Sequence, residues 1–206
     1  MTQPLASMSY GVVPAVVTQN EDDEQLGRVK VRFPWMDAQQ ESDWIHVAAP
    51  AAGNQRGFFF VPEVDDLVLI AFAFGRVDRA YVIGSLWSTA DRPPVEDRFK
   101  RTIKSVTGHV ITLDDTEDAE SISIIDRSGT NKIVLDAANN TITIESGGDL
   151  TIRATGRIEL ASDDDVSIRG ANVSIEATGT AELKGSEVAI EGPSGVNVNN
   201  GALEVI

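Results

Sequence analysis

From Ile111 onward the chain repeats one small unit, apolar–polar–apolar, and no aromatic residue occurs after Phe99. The units begin at residues 111, 122, 133, 142, 150, 158, 166, 173, 181, 188, 196 and 203, so the interval shortens from 11 residues and settles at 7 or 8. Alternation with period two is the signature of a strand with one buried and one solvated face. Gly, Asp, Asn and Ser between units, as in SGGD at 146–149 and EGPSG at 191–195, supply tight corners. Short strands joined by such corners build a β-solenoid.

A unit with two aliphatic side chains and no aromatic ring buries too little area to offset the conformational entropy of ordering it. Stability has to come from stacking. One chain coiled on itself needs about 24 residues per three-sided turn, with each corner seated on the one below. The drift in repeat length disturbs that stacking. Three identical chains wound about a common axis tolerate it, because symmetry gives every level the same repeat length. The spacing therefore favours an intertwined homotrimer over a monomeric solenoid adaptor. Its expected core is Ile142, Ile144, Leu150, Ile152, Ile158, Leu160, Val166, Ile168, Val173, Ile175, Val188, Ile190, Val196 and Val198.

Elsewhere the composition is that of an ordinary globular domain. All seven Phe, three Trp and two Tyr lie at or before residue 99. In GRVKVRFPW at 27–35, Val29, Val31 and Phe33 alternate with Arg28, Lys30 and Arg32 until Pro34 stops the ladder. Further strands are expected at 10–18, 43–49, 66–74 and 80–86, with breakers between them. Five strands without a helical period point to a small closed barrel of the oligonucleotide/oligosaccharide-binding (OB) type.

The 206 residues carry 17 basic and 32 acidic side chains, a formal charge of −15. Such a chain repels phosphate backbones and anionic lipid surfaces. With no Cys, disulfides, thiolate catalysis and Cys-ligated zinc are excluded. Residues 1–8 have neither the basic start nor the apolar run of a signal peptide, so assembly in the cytoplasm is expected.

The first half resembles the OB domain of the phage baseplate spike and VgrG family. The resemblance rests on GVVPAVVT at 11–18, LGRVKVRFPW at 26–35, WIHVAAP at 44–50, GFFFVPEV at 57–64 and DRAYVIGSLW at 78–87. RTIKSVTGHVITLDD at 101–115 is similar to the start of that family's β-helix. The resemblance implies an all-β homotrimeric central spike of a contractile tail or injection system, in a virion tail baseplate or an injection-system particle. It also implies a conical PAAR-repeat tip protein at the C-terminus. The chain departs from longer family members in three ways. OB strands begin near Tyr10 without a preceding hub domain, which implies a separate hub or tail-tube protein. Only residues 88–100 separate barrel from helix, too few for the lysozyme that some phage spikes insert. Some short spikes carry a His-X-His iron site near the tip, and no His follows His109 here.

Arg28, Lys30 and Arg32, with Trp35 and Trp44 as stacking platforms, could form a nucleic-acid groove, but the acidic balance disfavours it. A solvated or hub-facing OB strand surface is the better reading of the three cations. Asp163, Asp164 and Asp165, and the cluster Asp114, Asp115, Glu117 and Asp118, follow no calcium-loop pattern and read as solvated corners. His46 and His109 have no companion ligands at metal-binding spacing. A receptor-binding or glycan-degrading tail fibre is the alternative function, but the repeat half lacks aromatic sugar platforms. No catalytic residues, metal or cofactor are expected. The aliphatic pattern runs through Leu203, Val205 and Ile206 without a polar cap, which marks these residues for contact with a tip partner. The expected organisation is an N-terminal arm at 1–9, an OB domain at 10–87, a linker at 88–102 and a triple-stranded β-helix spike at 103–206.

Overall fold

The computed structural model describes residues 11–197. The arm at 1–9, Tyr10, Val198, Leu203, Val205 and Ile206 lie outside the described residues. The chain divides into two units, Met1–Leu150 and Thr151–Ile206. Among the described residues the regular structure is β, and a single 3-10 turn at Ala73–Gly75 is the only helical element.

The first sheet uses β1 (Val12–Gln19), β2 (Lys30–Arg32), β3 (His46–Val47), β6 (Leu67–Phe72) and β7 (Ala80–Ser85) in the order β2-β1-β6-β7-β3. β1 is antiparallel to β2 and β6, β6 is antiparallel to β7, and β7 runs parallel to β3. The circuit then closes. Val29, just before β2, and Ile45, just before β3, exchange both backbone hydrogen bonds at 3.0 and 2.8 Å. The five expected strands are therefore present and joined in a ring. The expected strand at 43–49 contracts to β3 plus the Ile45 bridge, and a hairpin of β4 (Ala52–Gly53) and β5 (Arg56–Gly57) forms between the expected strands at 43–49 and 66–74.

Alternation fills the barrel. Ala15, Val17, Val29, Val31, Phe33, Ile45, Val68, Ile70, Phe72 and Val82 form its core. Their sequence neighbours point outward, so Arg28, Lys30 and Arg32 stand on the outer side of the strand that buries Val29, Val31 and Phe33. The loop between β1 and β2 is clasped by Asp22, whose side chain is almost wholly buried. It accepts hydrogen bonds from Arg28 Nε at 2.9 Å and Nη2 at 2.7 Å, and from the backbone N–H groups of Glu24 and Leu26. The Arg28 guanidinium holds the Asp22 carboxyl far below the usual carboxylate range, against the opposing effect of burial. On the same loop Gly27, at φ +68°, leaves room for the ring of Phe59, which a Cβ would meet at 2.8 Å.

The second sheet is an antiparallel meander of β8 (Lys100–Lys104), β9 (Val110–Asp114), β10 (Ser121–Ile125), β11 (Lys132–Asp136) and β12 (Thr141–Glu145). The first repeats thus pair with each other inside one chain, as hairpins. After a five-residue strand the intervals of 11, 11 and 9 residues leave six, six and four residues for the reversing turns, whereas the later intervals of 7 or 8 would leave two or three. Each turn contains one residue in the left-handed region, namely Gly108, Asp118, Gly129 and Asn140. Gly, Asp and Asn are the residues that enter this region most readily. β8 also begins at Lys100, inside the stretch expected as a linker.

The second unit is different. Among its described residues, 151–197, no strand ladder forms, and extended stretches alternate with bends. No residue from Ile83 to Val196 is buried.

Two outcomes follow for the barrel. Ile70→Ala, at a fully enclosed position, is expected to lower its stability by about 2–5 kcal/mol in urea titrations followed by Trp fluorescence. Because Asp22 binds its proton more weakly folded than unfolded, its contribution is present above an unfolded-state pKa of about 4 and is lost as pH falls toward the folded value. Asp22→Asn is therefore expected to destabilise the barrel at neutral pH and to flatten the acid limb of its stability profile.

Candidate functional site

The meander register brings the repeats into columns. One column runs Ile103, Ile111, Ile124, Ile133, Ile144, and beside it runs Arg101, Leu113, Ile122, Leu135, Ile142. All nine aliphatic side chains lie on one face, and they are 39–72% exposed. Two shallow grooves cross this face. One of about 560 Å³ is bordered by Phe60 and lined by the first column, and another of about 500 Å³ is lined by Leu113, Ile122, Leu135 and Ile142.

The opposite face is built for water. Its central column is Thr102, Thr112, Ser123, Val134 and Thr143, with the Thr102 and Thr112 hydroxyls 3.4 Å apart. Lys100 pairs with Asp114 at 3.3 Å and Lys132 with Glu145 at 3.0 Å, across adjacent and neighbouring strands. Thr116, followed by Lys100, holds the Asp114 carboxyl below its usual range. Hydrogen bonds from Ser128 and Asn131 hold Asp126 at about 2. One side of the sheet has its polar groups matched in this way, while the other presents hydrocarbon to solvent.

Ile142 and Ile144 of the expected trimer core fall on the aliphatic face, and Leu150 borders its first groove. Ile152, Ile158, Leu160, Val166, Ile168, Val173, Ile175, Val188, Ile190 and Val196 are in the second unit and are all exposed. Ile103, Ile111, Leu113, Ile122, Ile124, Ile133 and Leu135 belong to the same face although they were not counted in the core. Their alternation is the same as that of the later repeats and was sufficient to include them.

On the barrel, Arg28 is committed to Asp22 and to Glu24 at 3.0 Å, and Lys30 binds Glu41 at 2.8 Å while lying over the Trp44 ring. Arg32 donates to the Ala38 carbonyl at 3.4 Å. Trp35 is stacked on Phe33 at 4.8 Å. Trp35 and Trp44 are thus both engaged within the barrel. An open groove of about 720 Å³ beside them contains His46, Trp44, Arg76 and Tyr81. Among the described residues no three His, Cys, Asp or Glu side chains converge on a possible metal position.

Residues 13–87 match the type VI secretion system/phage-baseplate injector OB domain family. The chain is 26% identical over 187 residues to the actin cross-linking toxin VgrG1 of Vibrio cholerae, covering 82% of this chain and 16% of that protein. It is 28% identical over 120 residues to the type VI secretion system spike protein VgrG3 of V. cholerae, covering 55% of this chain and 11% of the relative. Against the spike protein VgrG2a of Pseudomonas aeruginosa it is 29% identical over 125 residues, covering 54% and 15% respectively. The chain therefore spans a small part of the length of these relatives. The ring-closed barrel and the family match over 13–87 identify that segment as an injector OB domain, and the chain is similar to VgrG-type baseplate spike proteins through the barrel and beyond it.

Proposed function

We propose that this chain forms a homotrimeric central spike, a mechanical and non-enzymatic part of a contractile injection system. The observation that carries the reading is the uncovered aliphatic face of β8–β12. A sheet is stable when its apolar face meets a second layer, and three copies with these faces turned inward supply that layer to one another. The second unit makes the same demand more strongly. Its extended backbone has no ladder among the described residues, and Leu160, Ile175 and Leu183 are each 75% exposed. Braiding with two further copies provides hydrogen-bond partners and an interior. The trimer core includes the residues from Ile142 to Val198 named above, together with the seven earlier aliphatic positions.

In this reading residues 1–9 are an arm, 10–87 the OB collar, 88–102 the linker and 103–206 the triple-stranded β-helix. The collar seats on a hub or tail-tube protein, with the outer strand surface around Arg28, Lys30 and Arg32 toward it. Leu203, Val205 and Ile206 receive a PAAR-type tip. Sheath contraction drives the spike through the target envelope. Residues 100–206 carry 9 basic and 18 acidic side chains, a surface that does not adhere to anionic lipid. Entry therefore depends on applied force. No cofactor is required, the assembled particle is the place of action, and assembly precedes it in the cytoplasm.

Light scattering on the full chain at micromolar concentration is expected to give three times the 22.1 kDa chain mass. Ile124→Lys or Ile158→Lys is expected to shift that mass toward one copy, because a charge enters the shared interior. A well-folded monomer in the wild type would remove the physical basis of the spike. Full-length chain is expected to retain a cognate PAAR-type protein in pull-downs, and a chain ending at residue 199 is expected to lose it. Equal retention by both would reject the assigned contact.

A further inference from the structure

The ends of the β8–β12 strands differ in charge. The β8–β9 and β10–β11 turns, 105–109 and 126–131, lie on one flank of the sheet. The β9–β10 and β11–β12 turns, 115–120 and 137–140, lie on the other. On the first flank Lys104 and Arg127 have no ion-pair partner among the described residues. Asp126, in the same turn as Arg127, accepts hydrogen bonds from Ser128 and Asn131 and keeps its negative charge, and Lys132 is paired with Glu145. On the second flank Asp115 pairs with Arg101, whereas Glu117, Asp118 and Glu120 have no cation among the described residues. The charges left without an ion-pair partner around the first two hairpins therefore sum to one positive charge on the first flank (Lys104 and Arg127 against Asp126) and three negative charges on the second.

The meander also staggers the turns. A turn lies midway between the two strands it joins, so the β9–β10 turn projects at a height between the β8–β9 and β10–β11 turns. If copies are related by rotation about one axis, equivalent strands lie at equal heights and opposite flanks meet. The acidic β9–β10 turn of one copy then enters the notch of the next, between Lys104 above and Arg127 below. One level down, the uncharged Ala137, Ala138, Asn139 and Asn140 meet a notch holding the closed Lys132–Glu145 pair and Asp149. An inverted copy would instead place acidic flank on acidic flank and basic on basic.

We infer that the aliphatic face is covered by further copies of this chain whose Lys104 and Arg127 flank lies against the Glu117, Asp118 and Glu120 flank of the next. This charge polarity keeps all copies pointing in the same direction. The inference rests on the trimer reading and adds to it an orientation and a neighbour. Hydrocarbon burial alone does not distinguish upright from inverted copies. Like charges brought into contact do.

The chain contains no Cys, so introduced thiols report contacts without background. Glu117→Cys/Arg127→Cys in one full-length chain, treated with a short bis-maleimide, is expected to give covalent trimers. Within a chain the two positions lie at opposite ends of β10, about 17 Å or more apart, beyond a short linker. Glu117→Cys alone and Arg127→Cys alone are expected to give none. Efficient self-crosslinking of either single variant, or failure of the double variant to crosslink, overturns the inference. A charge test complements this. Lys104→Glu/Arg127→Glu is expected to weaken the trimer about tenfold at low salt, and adding Glu117→Lys/Asp118→Lys to the same chain is expected to restore it. A trimeric wild type with unchanged affinity in the first variant overturns the flank pairing alone. A monomeric wild type overturns the trimer as well.

Discussion

Nine Ile and Leu side chains on one face of the β8–β12 sheet meet no second layer within the chain. Their backbone is largely provided for, since β9, β10 and β11 are hydrogen-bonded on both sides and the edge strands β8 and β12 on one. Their side chains are not. A single-layer sheet with one hydrocarbon face loses the burial that normally offsets chain ordering, and the remaining architecture can be understood as a response to that deficit. The barrel has a closed interior of its own and needs no such help. Past Val82 no described residue is buried, so this difference divides the chain more sharply than any change in secondary structure.

The same three-residue unit behaves in two ways along the sequence. Where the interval is 9 to 11 residues, hairpins close within the chain, each turn passing through one left-handed residue. Where it falls to 7 or 8, no intrachain ladder forms among the described residues. The two regimes coincide with the change in interval length. In the proposed spike the first regime makes walls and the second a braid, joined without a change in the inward-facing pattern.

The barrel strands were legible because alternation between Val or Phe and charged residues survives almost unaltered as burial, as with Val29, Val31 and Phe33. The Asp22–Arg28 clasp was not, because composition reveals charges but not the loop path that brings six residues of separation down to a 2.7 Å contact. For the same reason Arg28 looked available to a partner while its guanidinium was already engaged. The aliphatic periodicity after Ile111 was plain, but whether it pairs within or between chains is invisible to a pattern that is identical in both cases. Only the interval lengths carried that information, and Ile111, Ile122 and Ile133 fell on the hairpin side of the divide.

Repeats of 7 or 8 residues are nearly interchangeable, so chains braiding through them could lock together one unit out of step and bury almost as much hydrocarbon. The hairpins of residues 100–145 are local, set quickly, and have unequal turns that no shifted partner reproduces. In the proposed trimer, three such walls dock first, and the strands leaving Glu145 then start level with one another. In the proposed spike the meander thus acts as the slider of a zip: it decides which tooth meets which.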